Sequence, residues 1–335
     1  MIRYINEAEV EKLLHMPETV ELVEAALKAR ADGRAVDVPR VRVRTPAGTL
    51  HVLEAGAPDL KLIGYKAYYS PSGKGTRYHV HLYDTDGGKL VAMIEASQLG
   101  MLRTGAASGV ATRYLARKDA AVVGMIGTGK QAVGQLEAVC AVRKIREAKV
   151  YSRNSERAQK FCEAVSSRCN IKMTVAQTPA DAVRGVDIIN VITKANAPVL
   201  LGEWLEAGQH INAAGSNALT RREIDANVVK RCSRVVVDSR ATARNESGDL
   251  LPLVESGFLD WDALPELGEV IVGRAPGRTF NDDITLYESH GMGIGHLYGR
   301  SCIEDRAQTQ HWYRSAGRRL KLAAMLLKQI ARQSE

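Results

Sequence analysis

The residues most able to do chemistry stand at Gly127-Thr128-Gly129-Lys130-Gln131-Ala132, directly after the apolar run Val122-Val123-Gly124-Met125-Ile126. Between a buried strand and a helix, G-x-G-x-x-A spacing makes a dinucleotide-binding turn. The first glycine permits the tight turn, the second lets the backbone approach a pyrophosphate, and Ala132 allows the helix to pack closely on the sheet. Free amides and a partial positive charge at the helix start then face the phosphates. A strand-to-helix turn without a ligand is the plain alternative. Gln131 disfavours a P-loop, because a magnesium-ligating Ser or Thr is required there.

The next strand runs Val150-Tyr151-Ser152-Arg153-Asn154 and ends without the carboxylate that would accept from a ribose 2′-hydroxyl. Ser152, Arg153 and Asn154 are candidate cofactor contacts, and Ser152 with Arg153 suits a 2′-phosphate. An ordinary surface role for Arg153 is the alternative. The expected cofactor is NAD(P)H, with NADP favoured over NAD.

Several cations before this turn are candidates for holding an anionic substrate: Arg40, Arg42, Arg44, Lys66 and Arg103. Arg103 interrupts a stretch of small and apolar residues, where an unpaired guanidinium is costly. It must pair with a bound carboxylate or with a buried Asp or Glu. Lys66, in Ile63-Gly64-Tyr65-Lys66-Ala67, poses the same choice. Arg42 and Arg44 either meet a second substrate carboxylate or alternate along a wet strand face. His51 is a candidate proton donor, or else a strand residue with a satisfied hydrogen bond. His79 and His81 share a strand face, but no third ligand accompanies them and no metal is expected.

These side chains need two kinds of scaffold. Residues 1–118 read as a mixed α+β unit. Asn6 and Glu9 form a capping box, Pro17 opens a helix ending at Gly33, short alternating strands fill 38–94, and a helix spans 99–115. From 119 to 299 the pattern becomes strand and helix in turn, with apolar runs at 120–126, 148–151, 188–192, 211–214 and 235–237. Helices at 131–142 and 155–166 separate the first of these. That alternation predicts a parallel sheet covered on both faces.

With 335 residues and a net charge of +8, the chain is long enough for two domains, and its basic excess raises nucleic acid as a partner. Eight basic and three acidic side chains fall in residues 300–335, however, interleaved with Leu320, Ala323, Ala324, Leu327 and Ile330 at helical spacing. This is an amphipathic helix with a basic face, and no nucleic-acid reading motif accompanies it. Five cysteines without a C-x-x-C pair fit a reducing compartment. No run approaches a membrane span and no signal-like start is present, so a cytoplasmic location is expected.

Taken together, several segments resemble the ornithine cyclodeaminase/mu-crystallin family in order and spacing. They are Arg40, Gly64-Tyr65-Lys66, Leu102-Arg103-Thr104-Gly105-Ala106-Ala107, Ile126 to Ala132, Ile211-Asn212-Ala213-Ala214-Gly215, Val237-Asp238-Ser239 and Asp283-Ile284-Thr285-Leu286-Tyr287. The resemblance covers nearly the whole chain. It implies an α/β protein: a Rossmann NAD(P)-binding domain over 119–299 plus an α+β substrate-binding and dimerisation domain over 1–118, completed by 300–335, in a homodimer. It further implies that Arg40 and Arg103 clamp a substrate carboxylate and that Lys66 exchanges a proton. Ala214, Gly215, Asn217 and Ser289 to Gly291 would border the nicotinamide.

Departures bear on activity. Members that hydrolyse an imine carry an aspartate where this chain has Asn217, and an amide is not a base. His51 stands in place of a glutamate of the cyclodeaminase. The segment 289–296 lacks the family's acidic pair, with His296 at one of those positions. The expected function is therefore NAD(P)H-dependent reduction of an α-imino acid. Catalysis falls to Lys66 and His51, and substrate binding to Arg40, Arg103 and Asn217. Ornithine cyclodeamination with tightly held NAD, or cofactor binding without catalysis as in mu-crystallin-like proteins, are the alternatives.

Overall fold

The computed structural model describes residues 2–71 and 75–299. After strand β1 (Arg3–Ile5), the Asn6 side chain accepts from the Glu9 amide while the Glu9 carboxylate accepts from the Asn6 amide. This box starts helix α1 (Glu7–Leu13), and Pro17 sits in the first turn of α2 (Met16–Ala31). Strands β2 (Val36–Asp37), β3 (Val41–Thr45), β4 (Gly48–Ala57), β5 (Leu62–Pro71), β6 (Arg77–Asp84) and β7 (Leu90–Glu95) follow, then α3 (Ser97–Leu115). The strands form one sheet in the order β1-β7-β6-β5-β4-β2, with β3 also on β4. Strand alternation sorts its two faces. Leu53, Lys66, Val80 and Ile94 lie in register across β4 to β7 on the buried side. Val43, Leu50 and Tyr69 lie in register on the other side, exposed.

The second sheet contains β8 (Val122–Ile126), β9 (Glu147–Tyr151), β10 (Lys172–Val175), β11 (Ile188–Val191), β12 (His210–Ala213), β13 (Arg234–Val237) and β14 (Thr285–Glu288). All its pairings are parallel, in the order β10-β9-β8-β11-β12-β14-β13. Helices α4 (Lys130–Val142), α5 (Ser155–Cys169), α6 (Pro179–Val183), α7 (Ala226–Arg231), α8 (Arg240–Glu246), α9 (Leu251–Glu255) and α10 (Leu267–Ile271) connect or follow these strands. The order reverses between β8 and β11, which is where an open α/β sheet forms its ligand crevice. Two strands were not expected from the sequence. β10 is an edge strand of mixed polarity, and β14 inserts between β12 and β13 after a long excursion. The insertion delivers residues 289–291 to the crevice.

The two sheets are joined by close helix packing. A β-carbon on Gly105 of α3 would lie 2.1 Å from the Gly134 carbonyl oxygen of α4, so only glycine permits this crossing. It sets the Met101, Gly105 and Gly109 face of α3 against α4 and leaves Arg103 on the opposite side of the helix, toward Gly291 and His296. Met292, Ile294, Leu297 and Tyr298 pack in the same core as α1, α2 and α3, so the chain returns to the first sheet's helices immediately after β14. The helix expected within 320–330 and the contribution of 300–335 lie outside the described residues. Among the described residues, no helix is long and apolar enough to cross a membrane.

Candidate active site

A cleft of about 1000 Å³ runs along the C-terminal ends of the parallel strands and continues to the buried face of the first sheet. The turn after β8 forms its phosphate end. Gly127 adopts φ +111°, and a β-carbon there would stand 2.4 Å from the Ile192 carbonyl oxygen. Gly129 is the N-cap of α4, makes no side-chain cap and has open space where a β-carbon would project. The first amides of a three-turn helix thus face the cleft without a side-chain cap, a fit for a dinucleotide pyrophosphate. Lys130 reaches back to the Ser97 hydroxyl, which ties this turn to α3.

Two buried carboxylates hold the loops around it. Glu223 accepts from the Thr193 amide at 2.5 Å, the Thr193 hydroxyl at 2.7 Å, the Gly215 amide at 2.6 Å and the Ser216 amide at 2.9 Å. Burial pushes its pKa up to about 7 against those bonds. Asp238, at the end of β13, accepts from the amides of His290 and Gly291 at 2.8 and 2.7 Å and from the Ser289 hydroxyl at 3.3 Å. His290 lies between Asp238 (3.5 Å) and Glu288 (3.6 Å). Burial alone would lower its pKa, but the two carboxylates raise it to about 10, so it is an imidazolium at neutral pH.

The substrate end is cationic. Arg40 is buried, ion-paired to Glu246 at 3.2 Å and bonded to the His290 carbonyl at 2.8 Å. Arg103 is buried on α3, and among the described residues no carboxylate pairs with it. Its Nε donates to His296 Nε2 at 3.2 Å, and burial, with Arg40 nearby, lowers its pKa to about 10. It therefore stays charged and meets the condition for binding an external carboxylate. Lys66 Nζ sits 4.8 Å from the Tyr78 ring centroid and 5.6 Å from that of Tyr68. Burial, then Arg103 and Arg40, hold its pKa well below the ordinary lysine range. A lysine so placed gives up its proton more readily than an exposed one.

Most sequence candidates thus share one cleft: Gly127 to Gln131, Ser152, Arg153, Ala214, Gly215, Asn217, Ser289, Arg40, Lys66 and Arg103. Three expectations are corrected. His51 does not line the cleft; its ring stacks on Tyr68 at 4.4 Å, and burial plus Arg42, Arg40 and Arg44 lower its pKa to about 4. A neutral imidazole is no proton donor at neutral pH, which leaves Lys66. Asn154 does not line the cleft either, because its side chain caps α5 by accepting from the Arg157 amide at 2.8 Å. Arg42 does not await a second substrate carboxylate; it pairs with Glu246 at 2.8 Å and donates to the Asn217 carbonyl at 2.9 Å.

Sequence reasoning missed Glu223, Asp238 and Glu246, whose partners are remote in sequence. It also missed Arg157, which lines the cleft from the first turn of α5, just after Arg153.

The family model for ornithine cyclodeaminase/mu-crystallin proteins matches residues 3–311. The chain belongs to the ornithine cyclodeaminase/mu-crystallin family. Within that family it is 34% identical over 315 residues to a Δ1-pyrroline-2-carboxylate reductase of Bacillus cereus, covering 91% of this chain and 97% of the relative. The structure of Thermococcus litoralis Δ1-pyrroline-2-carboxylate reductase in complex with NADH and L-proline superposes with a TM-score of 0.88 at 33% identity, over 92% of this chain and 98% of that one. An archaeal alanine dehydrogenase dimer with bound NAD gives a TM-score of 0.86 at 30% identity, over 92% and 97%. The architecture is accordingly that of the family, a Rossmann unit joined to a second α+β unit.

Proposed function

We propose that this protein is an NAD(P)H-dependent reductase that converts an α-imino acid into an amino acid, with cyclic imines of the 1-pyrroline-2-carboxylate type as the first substrates to test. The observation that carries this reading is the charge of the cleft. Among the described residues, eight lysine and arginine side chains line it, and no aspartate or glutamate does. A substrate carboxylate finds Arg103 there; the terminal ammonium of ornithine finds no counter-charge. Asn217 adds a second argument against cyclodeamination, since it offers no base for water.

When bound, the cofactor supplies the hydride that reduces the C=N carbon. The chain's own residues do the rest. Thr128 and Gly129, with the first amides of α4, would present N–H groups to the diphosphate, while the Gly127 amide is held by the Tyr151 carbonyl. Arg103 holds the carboxylate by its two terminal nitrogens, and Arg40 lends charge from beside it. The faces of Tyr68 and Tyr78 flank Lys66 Nζ and stabilise its ammonium form when the carboxylate's negative charge arrives. Lys66 then passes that proton to the substrate nitrogen. Holding the reacting groups together contributes more than any single proton transfer.

The cofactor preference proposed is NADP, because Ser152, Arg153 and Arg157 ring the end of β9 without a carboxylate. A homodimer through the first sheet is proposed from its exposed row of Val43, Leu50 and Tyr69, extended by Val41 and Ile63. The first domain is taken as residues 1–118 and the second as 119–299. A panel of cyclic imino acids, and of 2-oxo acids with ammonia or methylamine, tests the activity by loss of reduced-nicotinamide absorbance. Ammonia release from ornithine, with no such loss on any imine, would favour the cyclodeaminase instead.

A further inference from the structure

We infer that His296 is a positioning residue for substrate recognition: a neutral imidazole that aims the Arg103 guanidinium into the cleft without cancelling its charge. The inference rests on the imino-acid site proposed above and names the group that keeps its principal cation available.

His296 is buried on the helical turn 294–299, with its Nδ1 3.3 Å from the Gly293 carbonyl oxygen and its Nε2 3.2 Å from Arg103 Nε. A carbonyl oxygen only accepts, so Nδ1 carries the proton and Nε2 offers its lone pair to the Arg103 N–H. That bond occupies the Nε edge of the guanidinium and fixes the plane of the fork. The two terminal nitrogens are left facing Gly291, whose absent β-carbon would lie 3.0 and 3.2 Å from them.

The neighbours explain why the acceptor must be neutral. Asp238, an acid whose charge reaches Arg103, is occupied by three backbone amides, the Ser289 hydroxyl and His290. Glu246 is shared by Arg40 and Arg42. Among the described residues no carboxylate pairs directly with Arg103, so its charge stays available to a ligand. A carboxylate at position 296 would neutralise it and compete with the substrate; removing the acceptor would leave a buried N–H unpaired and the fork free to rotate. The same imidazole borders the proton carrier: one point, the β-carbon position of Gly100, is 3.0 Å from Lys66 Nζ and 4.0 Å from His296 Nε2.

The test titrates pyrrole-2-carboxylate, a planar analogue that is not reduced, into the full-length protein saturated with oxidised cofactor, by calorimetry. His296→Asp is expected to weaken binding about tenfold or more, while His296→Gln, which retains a neutral acceptor, stays within about threefold of the unaltered protein. His296→Ala, free of any added charge, should fall below the Gln variant, which keeps the inference testable if the Asp variant does not fold. Cofactor affinity should be the same in all four proteins. Unchanged affinity in the Asp or Ala variant, or a Gln variant as weak as the Asp variant, would overturn the assignment. Since binding is read without turnover, absence of imine reduction by the unaltered protein would count against the proposed function, while failure of the unaltered protein to bind the analogue would overturn both.

Discussion

Arg103 and Gly291 share one small volume: a β-carbon at position 291 would stand 3.0 Å from one terminal nitrogen of the guanidinium and 3.2 Å from the other. The glycine, at φ +89°, makes room for the cation that the substrate carboxylate requires. Arg103→Ala is expected to lower kcat/KM for an imino acid by about a hundredfold or more, the loss of two charge-assisted bonds. Reduced-cofactor affinity, measured by fluorescence, should hardly move. Equal loss of cofactor binding would mean that the arginine serves the dinucleotide.

Lys66 sets the pH dependence. Its pKa lies well below the ordinary lysine value, through burial first and then Arg103 and Arg40. As the proton donor in reduction it must be charged, so kcat/KM for reduction should fall as pH rises through that lowered pKa. In the reverse direction it is the base, and kcat/KM for amino-acid oxidation should rise through the same value. Lys66→Met should abolish both limbs, whereas His51→Asn should retain the profile. A profile that follows His51 instead would restore the imidazole as donor.

The proposed NADP preference rests on Arg153 and Arg157. Replacing both with alanine is expected to raise KM for NADPH about tenfold or more, each arginine to a phosphate being a charge-assisted contact, while leaving KM for NADH little changed. A parallel loss with both cofactors would place the arginines elsewhere along the dinucleotide.

His290 ties stability to pH. Its folded pKa of about 10 is raised above the ordinary 6.5, so its contribution is complete below about 6.5 and lost as pH climbs through about 10. Asp37 and Glu223, raised by burial to about 7, and Asp249, raised to about 8, also lose stability as pH rises, but earlier. Urea denaturation of both proteins between pH 8 and 10 isolates the histidine by difference, because Lys66, whose lowered pKa acts in the opposite sense, is common to the two. The unaltered protein should weaken across that window, and His290→Gln, less stable at pH 7, should show a flatter slope.

What the sequence made legible was mostly local. The turn at Gly127 could be read because its strand, glycines and helix are contiguous, and β8 and β11 because burial on both faces leaves them mostly apolar, whereas interior β14, reading Thr285-Leu286-Tyr287-Glu288, carries buried polar groups and escaped. β10 escaped because an edge strand reading Lys172-Met173-Thr174-Val175 carries neither signal. Arg103 and Lys66 stood out as cations among small or apolar neighbours, and both line the cleft. His51 misled because three arginines that silence it come from the adjoining strand region, a proximity set by β3 pairing with β4. Glu223 and Asp238 were opaque because they bind backbone amides, which no residue type announces.

The most direct measurement follows the hydrogen itself. Reduced cofactor carrying deuterium at both C4 positions is incubated with 1-pyrroline-2-carboxylate, and the product amino acid is examined by mass spectrometry and NMR. One deuterium at the α-carbon, with one oxidised cofactor formed per product, is the outcome expected. An unlabelled α-carbon, or ammonia released from ornithine with no net cofactor oxidation, would contradict the account.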